Sequence, residues 1–277
     1  QKLQRHGGSV SVLIGLGKAG CEIVKGFSDS HKKITIDAGS ELPEFSSPED
    51  YDQKLSDYQH LLKFDENECY FFVCGAGKVS AASLRLLELI HDKKINLVYI
   101  YPEEIMLSPT QRKLNRVAFN VFQEYTRSGL LNSMYLMCNE SITDMLPHIT
   151  IEDLYKHLNE AIVNVFENII FYLDAQPMMG SHHEPKDVSR IRTIEYGDFK
   201  TEKKKLYYPL DNTTETCYIN IVSDDEMKNN KELLSQLKQK IIEDHKNQVL
   251  SSFVVFKSDY EHSFYYAIRF THFLQTR

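Results

Sequence analysis

A chain of 277 residues has room for one large α/β domain or two smaller ones, and its 42% hydrophobic and 26% charged content is ordinary for a globular protein. The net charge of −7 argues against a surface built to coat nucleic acid, and no apolar run approaches the ~20 residues that span a bilayer. Five cysteines (Cys21, Cys69, Cys74, Cys138, Cys217) form no C-x-x-C pair, which points to reduced thiols in a cytoplasmic protein and away from a disulfide or zinc framework.

Residues 1–8 are polar and read as a lead-in. A strand over Ser9–Ile14 runs into Gly15-Leu-Gly-Lys-Ala-Gly20-Cys-Glu22, and a helix follows to about Phe27. Closely spaced glycines between an apolar strand and a helix let the backbone approach an anion, with the first helical N–H groups pointing at it. Ile34–Ile36 is a second strand closed by Asp37. Residues 38–60 read as a loop, with a short helix expected over Pro48–Leu62. Cys69–Cys74 is apolar throughout, as in a strand buried on both faces, and leads through Gly75-Ala-Gly77-Lys78-Val-Ser80 into a helix over Ala81–His91. Ile95–Tyr101 is another buried strand, Gln111–Arg127 a helix, and Ser133–Cys138 a strand ending at Asn139.

The longest element comes next. Thr150 with Asp153 forms a capping-box arrangement, and no Gly or Pro interrupts Ile151–Leu173. Leu154, Leu158, Ile162, Phe166, Ile170 and Leu173 keep to one helical face, in a helix of roughly 33 Å at 1.5 Å per residue. Asp174–Asp187 reads as a loop. Strands are expected at Leu206–Leu210, Cys217–Val222, Val249–Lys257 and Phe264–Phe270, with one helix over about Met227–His245. A domain boundary falls near residues 188–200. The expected layout is therefore a nucleotide-binding domain over 9–150, a central helix and loop over 151–189, and an α+β domain over 190–277.

Gly15, Gly17 and Gly20, with Asp37 about 20 residues on, satisfy the dinucleotide fingerprint, so an NAD(P)-dependent oxidoreductase stands as one alternative. It leaves the second glycine turn, Gly75–Ser80, unexplained. Two glycine turns aimed at one region suit a polyphosphate better than a single pyrophosphate.

Gly17-Lys-Ala-Gly20-Cys-Glu-Ile23 resembles the first nucleotide loop of tubulin, Gly-Gln-Ala/Cys-Gly-x-Gln-Ile, and the order of motifs over residues 9–190 resembles that of the bacterial division GTPase FtsZ. Tyr70–Ala82 occupies the place of the family's glycine-rich loop. The segment from Asn96 through Pro102 to Arg112 resembles the one that contacts the sugar, and Met137–Leu146 the stretch that follows it. Tyr155 and Asn159 fall where FtsZ has its base-stacking aromatic and its guanine-binding asparagine. The second loop is shorter than the family's and lacks most of its glycines and threonines. Lys18 and Lys78 stand in the phosphate cradle, where they would neutralise charge and lessen dependence on magnesium.

In the family, acids on the loop after the central helix hydrolyse the GTP of the adjoining subunit, in the form Asn-x-Asp-x-x-Asp. Here His182-His183-Glu184-Pro185-Lys186-Asp187 keeps the acid spacing, with Glu184 and Asp187 at the two acids and His182 for the asparagine. Two carboxylates three apart position a water beside a γ-phosphate, although a shift of about 1 Å costs ~100-fold in rate. A metal site at His182-His183-Glu184 is the weaker reading, because adjacent side chains seldom converge on one ion.

The resemblance thus implies a tubulin/FtsZ-like α/β fold: a parallel-sheet GTP-binding domain, a long central helix and a small mixed-sheet C-terminal domain. It implies a GTPase that assembles head to tail with copies of itself, hydrolysing slowly or briskly, and a remote branch such as a phage- or plasmid-encoded relative. The implied ligands are GTP or GDP with Mg2+, bound by Gly17, Lys18, Ala19, Gly20, Glu22, Asp37, Gly75, Ala76, Gly77, Lys78, Val79, Ser80, Arg112, Asn139, Tyr155 and Asn159. The implied hydrolytic residues are Glu184, Asp187 and His182. A scaffold that keeps the fold without hydrolysis is the other alternative. For single residues simpler roles also stand: Asp37 as a strand-end turn residue and Tyr155 as core packing.

Overall fold

The computed structural model describes residues 11–37, 56–77, 82–146, 149–199, 201 and 203–276. The chain forms two compact units, Ser9–Glu167 and Asn168–Arg277, and the division comes inside the long helix Leu154–Asp174.

The first unit holds β1 (Val12–Leu16), α1 (Gly17–Gly26), β2 (Lys32–Ile36), β3 (Glu68–Cys74), α2 (Ser83–Leu89), β4 (Lys94–Tyr101), α3 (Pro109–Arg127), β5 (Ser133–Cys138), α4 (Asn139–Met145) and the first part of α5 (Leu154–Asp174). Its sheet runs β2-β1-β3-β4-β5, and every pairing is parallel. Every residue of β1 and β5 is buried, and β3 and β4 are nearly so, which is why their sequences are unbroken apolar runs and not alternating ones. Phe166 of α5 packs edge-on against Tyr135, Phe72 and Tyr70, at ring-centroid distances of 5.3, 5.5 and 6.3 Å. Ser108 and Gln111 form a reciprocal capping box at the start of α3, with Pro109 in the first turn, so this helix begins two residues before the Gln111 expected. The helix expected from Pro48 lies mostly outside the described residues; its end, Ser56–Leu62, is 3-10.

Close approach of helix to sheet governs the first glycine stretch. A Cβ on Gly20 would be driven into the carbonyl oxygen of Phe72, and one on Gly15 into that of Gly20. Neither obstacle is a movable side chain, so Gly20→Ala is expected to destabilise the protein by about 1–3 kcal/mol in urea unfolding. Parental stability in that variant would contradict the packing role.

The second unit holds the end of α5, β6 (Met179–Gly180), β7 (Ile191–Asp198), β8 (Lys204–Leu206), β9 (Glu215–Ser223), α6 (Asp224–Asn229), α7 (Leu233–Lys246), β10 (Leu250–Ser258) and β11 (Phe264–Thr271). The sheet is mixed, in the order β7-β11-β9-β10-β6 with β8 on β7; β9 and β10 are parallel and the other pairs antiparallel. Two sequence expectations change here, and one strand was not expected. That strand is β7, whose inward positions include Thr193, Glu195 and Gly197 and so read as polar. The helix over Met227–His245 is two helices, separated where the Asn230 side chain accepts from the Glu232 N–H at 3.0 Å. The strand at Leu206–Leu210 ends at Leu206.

Lys240 of α7 lies over the ring of Tyr265 at 3.3 Å, with Phe199 at 4.5 Å and Tyr218 at 5.8 Å, and its buried ammonium has no hydrogen-bond partner among the described residues. Burial first, and the nearby Lys204 second, push its pKa down to about 8 against the opposing pull of Glu195 and Glu243. The unfolded chain keeps the ordinary 10.5, so it binds more protons than the folded one between those values. The cost of holding the charged amine is therefore full below about 8 and relieved as pH rises to 10.5. Relative to Lys240→Met, the parent is expected to gain roughly 1–3 kcal/mol of stability across that window. Parallel pH curves for the two proteins would remove Lys240 as the source.

Candidate functional site

Each parallel strand of the first unit delivers a residue to one cleft of about 1150 Å³: Leu16 ends β1, Asp37 follows β2, Cys74 ends β3, Pro102 follows β4 and Asn139 follows β5. The cleft thus lies over the carboxyl ends of the strands. In the order β2-β1-β3-β4-β5 the chain reverses direction between β1 and β3, the place where open α/β sheets bind ligands. Both glycine turns flank that point. Gly17, Lys18, Ala19 and Glu22 line it after β1, and Ala76 and Gly77 after β3.

Gly17 has a φ of +68°, the left-handed geometry that favours glycine, and it opens α1 directly after the extended Leu16. Leu16, the N-cap of α1, gives no side-chain cap, so the first-turn N–H groups are open to a ligand or water. Gly15, by contrast, sits inside β1. The turn is made by Gly17, and the first glycine of the apparent dinucleotide fingerprint serves packing.

The other wall is α5. Tyr155 is 62% exposed, and it lines the cleft together with Leu158 and Asn159. An aromatic face left in solvent at the mouth of a cleft is available for stacking, unlike the core role open to it in the sequence. Acids Glu22, Asp37, Glu103 and Glu160 outnumber Lys18, Lys25 and Lys156 in the lining, and Lys25 is already 2.7 Å from Glu22. A polyphosphate there needs further positive charge, and this oxygen-rich lining fits a hard divalent cation.

In the second unit, the segment after α5 is held by a residue the sequence had not singled out. Glu215, 1% exposed, receives His183 Nε2 at 2.7 Å and the Lys186 N–H at 3.2 Å, and Ser189 also bonds to its carboxylate. Burial raises the pKa of Glu215, but the bonds from Ser189, His183 and Lys186 outweigh it and leave it below the usual glutamate value. His182 turns elsewhere, its Nε2 3.4 Å from the carbonyl of Ala175 and its ring 6.0 Å from that of Phe256. The two histidines therefore have separate partners. Glu184 and Asp187 are exposed. A lone acid beginning a strand has no periodic signature, and its partner His183 is 32 residues away, so no signal in the sequence marked Glu215.

No protein-family model and no curated protein matches the sequence. Solved structures do. An empty FtsZ dimer of M. jannaschii matches at TM-score 0.67 and 11% identity, covering 97% of this chain and 89% of its own. The GTPγS-form protofilament of Bacillus thuringiensis serovar israelensis TubZ matches at 0.70 and 11%, covering 95% and 88%. A four-stranded TubZ-Bt filament model matches at 0.72 and 11%, covering 96% and 87%. The chain has the tubulin/FtsZ-like fold.

Within that tubulin/FtsZ-like fold, Gly17, Lys18, Ala19, Glu22, Asp37, Ala76, Gly77, Asn139, Tyr155 and Asn159 meet at one cleft. Gly20 and Gly75 stand behind it: a Cβ on Gly75 would strike the Tyr99 hydroxyl and the Asn115 side chain. Lys78, Val79 and Ser80 lie outside the described residues. Arg112 is not brought to the cleft. Its Nε donates to the carbonyls of Glu104 and Leu107 at 3.0 and 3.1 Å, and Gln111 lines the cleft in its stead. Among the described residues no helix is long and apolar enough to cross a membrane.

Proposed function

We propose that this chain is a guanine-nucleotide-binding filament protein, assembling head to tail with copies of itself and hydrolysing GTP by means of Glu184 and Asp187. The cleft carries the proposal: the uncapped start of α1, both glycine turns, and Tyr155 with Asn159 on α5 converge over the strand ends. The first-turn N–H groups and Gly17 suit phosphate, Tyr155 suits stacking on a base, and the Asn159 amide suits hydrogen bonds to a guanine edge. Neighbours in fold described as a GTPγS-form protofilament and a filament support self-assembly. Magnesium, when bound with the nucleotide, would offset the surplus of carboxylates; Glu22 and Asp37 are the acids of the lining nearest in sequence to the phosphate-type turn.

The test is equilibrium binding of GTP, ATP and NAD to the purified protein, followed by light scattering. GTP is expected to bind at least tenfold more tightly than NAD, and chelating magnesium to weaken it about tenfold or more. GTP binding no better than NAD would sink the proposal while leaving the fold untouched. Retained affinity without magnesium would instead favour charge neutralisation by Lys18.

A second reading, a filament protein that does not hydrolyse, is favoured by one observation. His182, in the asparagine's place, is turned toward Ala175 and Phe256. GTP-linked scattering with no phosphate release would select it.

A further inference from the structure

The exposed acids Glu184 and Asp187 belong to a loop whose underside is tied to a single carboxylate. Three donors converge on Glu215: the His183 ring, the Lys186 backbone and the Ser189 hydroxyl. These donors alternate with the acids along the chain, His183 and Lys186 bracketing Glu184, Lys186 and Ser189 bracketing Asp187. The Ser189 N–H also closes a turn onto the Lys186 carbonyl at 2.8 Å, with Asp187 inside it. Glu215 itself is rigidly carried, because β9 is paired on both edges, to Leu250 of β10 and Phe270 of β11 at this position. Burying an ionised carboxylate is costly without such partners, and a simple strand position could be filled by an apolar residue. Among the described residues, the acid's cost is offset by gathering this loop.

We propose that Glu215 is a positioning residue, fixing the loop so that Glu184 and Asp187 hold one geometry toward the nucleotide of a second copy. This rests on the hydrolytic function proposed above. Glu215 would not touch the nucleotide; it acts through His183, Lys186 and Ser189. Loss of the anchor leaves both acids in place but lets them wander, and displacements of about 1 Å are costly in rate.

The experiment compares the full chain with Glu215→Ala, His183→Ala and His183→Gln, reading GTP turnover, GTP affinity and hydrogen exchange over residues 182–189. Glu215→Ala is expected to speed exchange in that segment and lower turnover tenfold or more, with GTP affinity within twofold. His183→Gln, whose amide still donates to the carboxylate, should recover most of the turnover that His183→Ala loses. A folded Glu215→Ala protein with parental exchange and turnover within twofold overturns the positioning role alone. A parent that binds GTP without turning it over overturns the hydrolytic function on which the role depends. Should Glu215→Ala not fold, His183→Ala, which removes the 2.7 Å bond to Glu215 from the other side, is read by the same limits.

Discussion

Asp187→Ala is expected to lower GTP turnover by about 100-fold or more while leaving GTP affinity unchanged. The acid belongs to the unit Asn168–Arg277 and the nucleotide-type cleft to Ser9–Glu167, so removing the carboxylate alters none of the groups proposed to bind GTP. Asp187 is exposed, and surface substitutions of this kind fall within about 0.5 kcal/mol of parental stability. Slow turnover in a stable protein that still binds GTP has one further consequence. Filaments formed with GTP should persist, so the light-scattering signal should decay far more slowly than in the parent. Unchanged phosphate release would remove Asp187 from the reaction, whatever becomes of assembly. A parallel Glu184→Ala variant reports whether both acids are used.

The parallel half of the fold was legible because its strands leave no room for ambiguity. Tyr70, Phe71, Phe72 and Val73 in β3, and Leu97 through Tyr101 in β4, are buried on both faces and therefore apolar at every position. The long helix was legible from its uninterrupted stripe. The second unit was harder, since its strands carry polar residues inward. Thr193 and Glu195 in β7 are buried, and nothing in a single sequence separates such residues from those of a linker. Residues 230–232 separate α6 from α7 without a glycine or proline to mark the break.

At the candidate site, residue types were legible but their duties were not. Gly15, Gly17 and Gly20 look equivalent in the sequence, yet one packs inside a strand, one turns the chain and one admits the neighbouring strand's carbonyl. That division weakens the dinucleotide alternative more than any missing catalytic residue does, because the fingerprint requires its first glycine in the turn. Arg112 illustrates the opposite error. Its place in the family's sugar-contacting segment suggested a nucleotide, whereas its Nε donates to two backbone carbonyls of its own loop. Glu215 was invisible because its partners are 26–32 residues away and chosen by strand pairing.

The second large effect concerns stability, and it arises from the other buried acid of the mixed sheet. Glu195 of β7 and Arg269 of β11 lie 2.7 Å apart, the acid's side chain 6% exposed and the arginine's 21%. Arg269 offers both Nε, at 3.1 Å, and a terminal nitrogen to the same oxygen, and the Tyr265 hydroxyl donates to the other at 3.2 Å. Such a pair repays its desolvation only while both members are present. Arg269→Ala would leave a buried carboxylate with the tyrosine as its main donor, and a loss of about 3–5 kcal/mol is expected in urea unfolding. The pair itself need not be worth that much. Replacing both members, Glu195→Gln with Arg269→Met, removes the stranded charge and should restore most of the stability lost by Arg269→Ala. If the double variant were as unstable as the single one, the cost would come from lost packing of the arginine stem across the β7–β11 pair and not from the uncompensated acid.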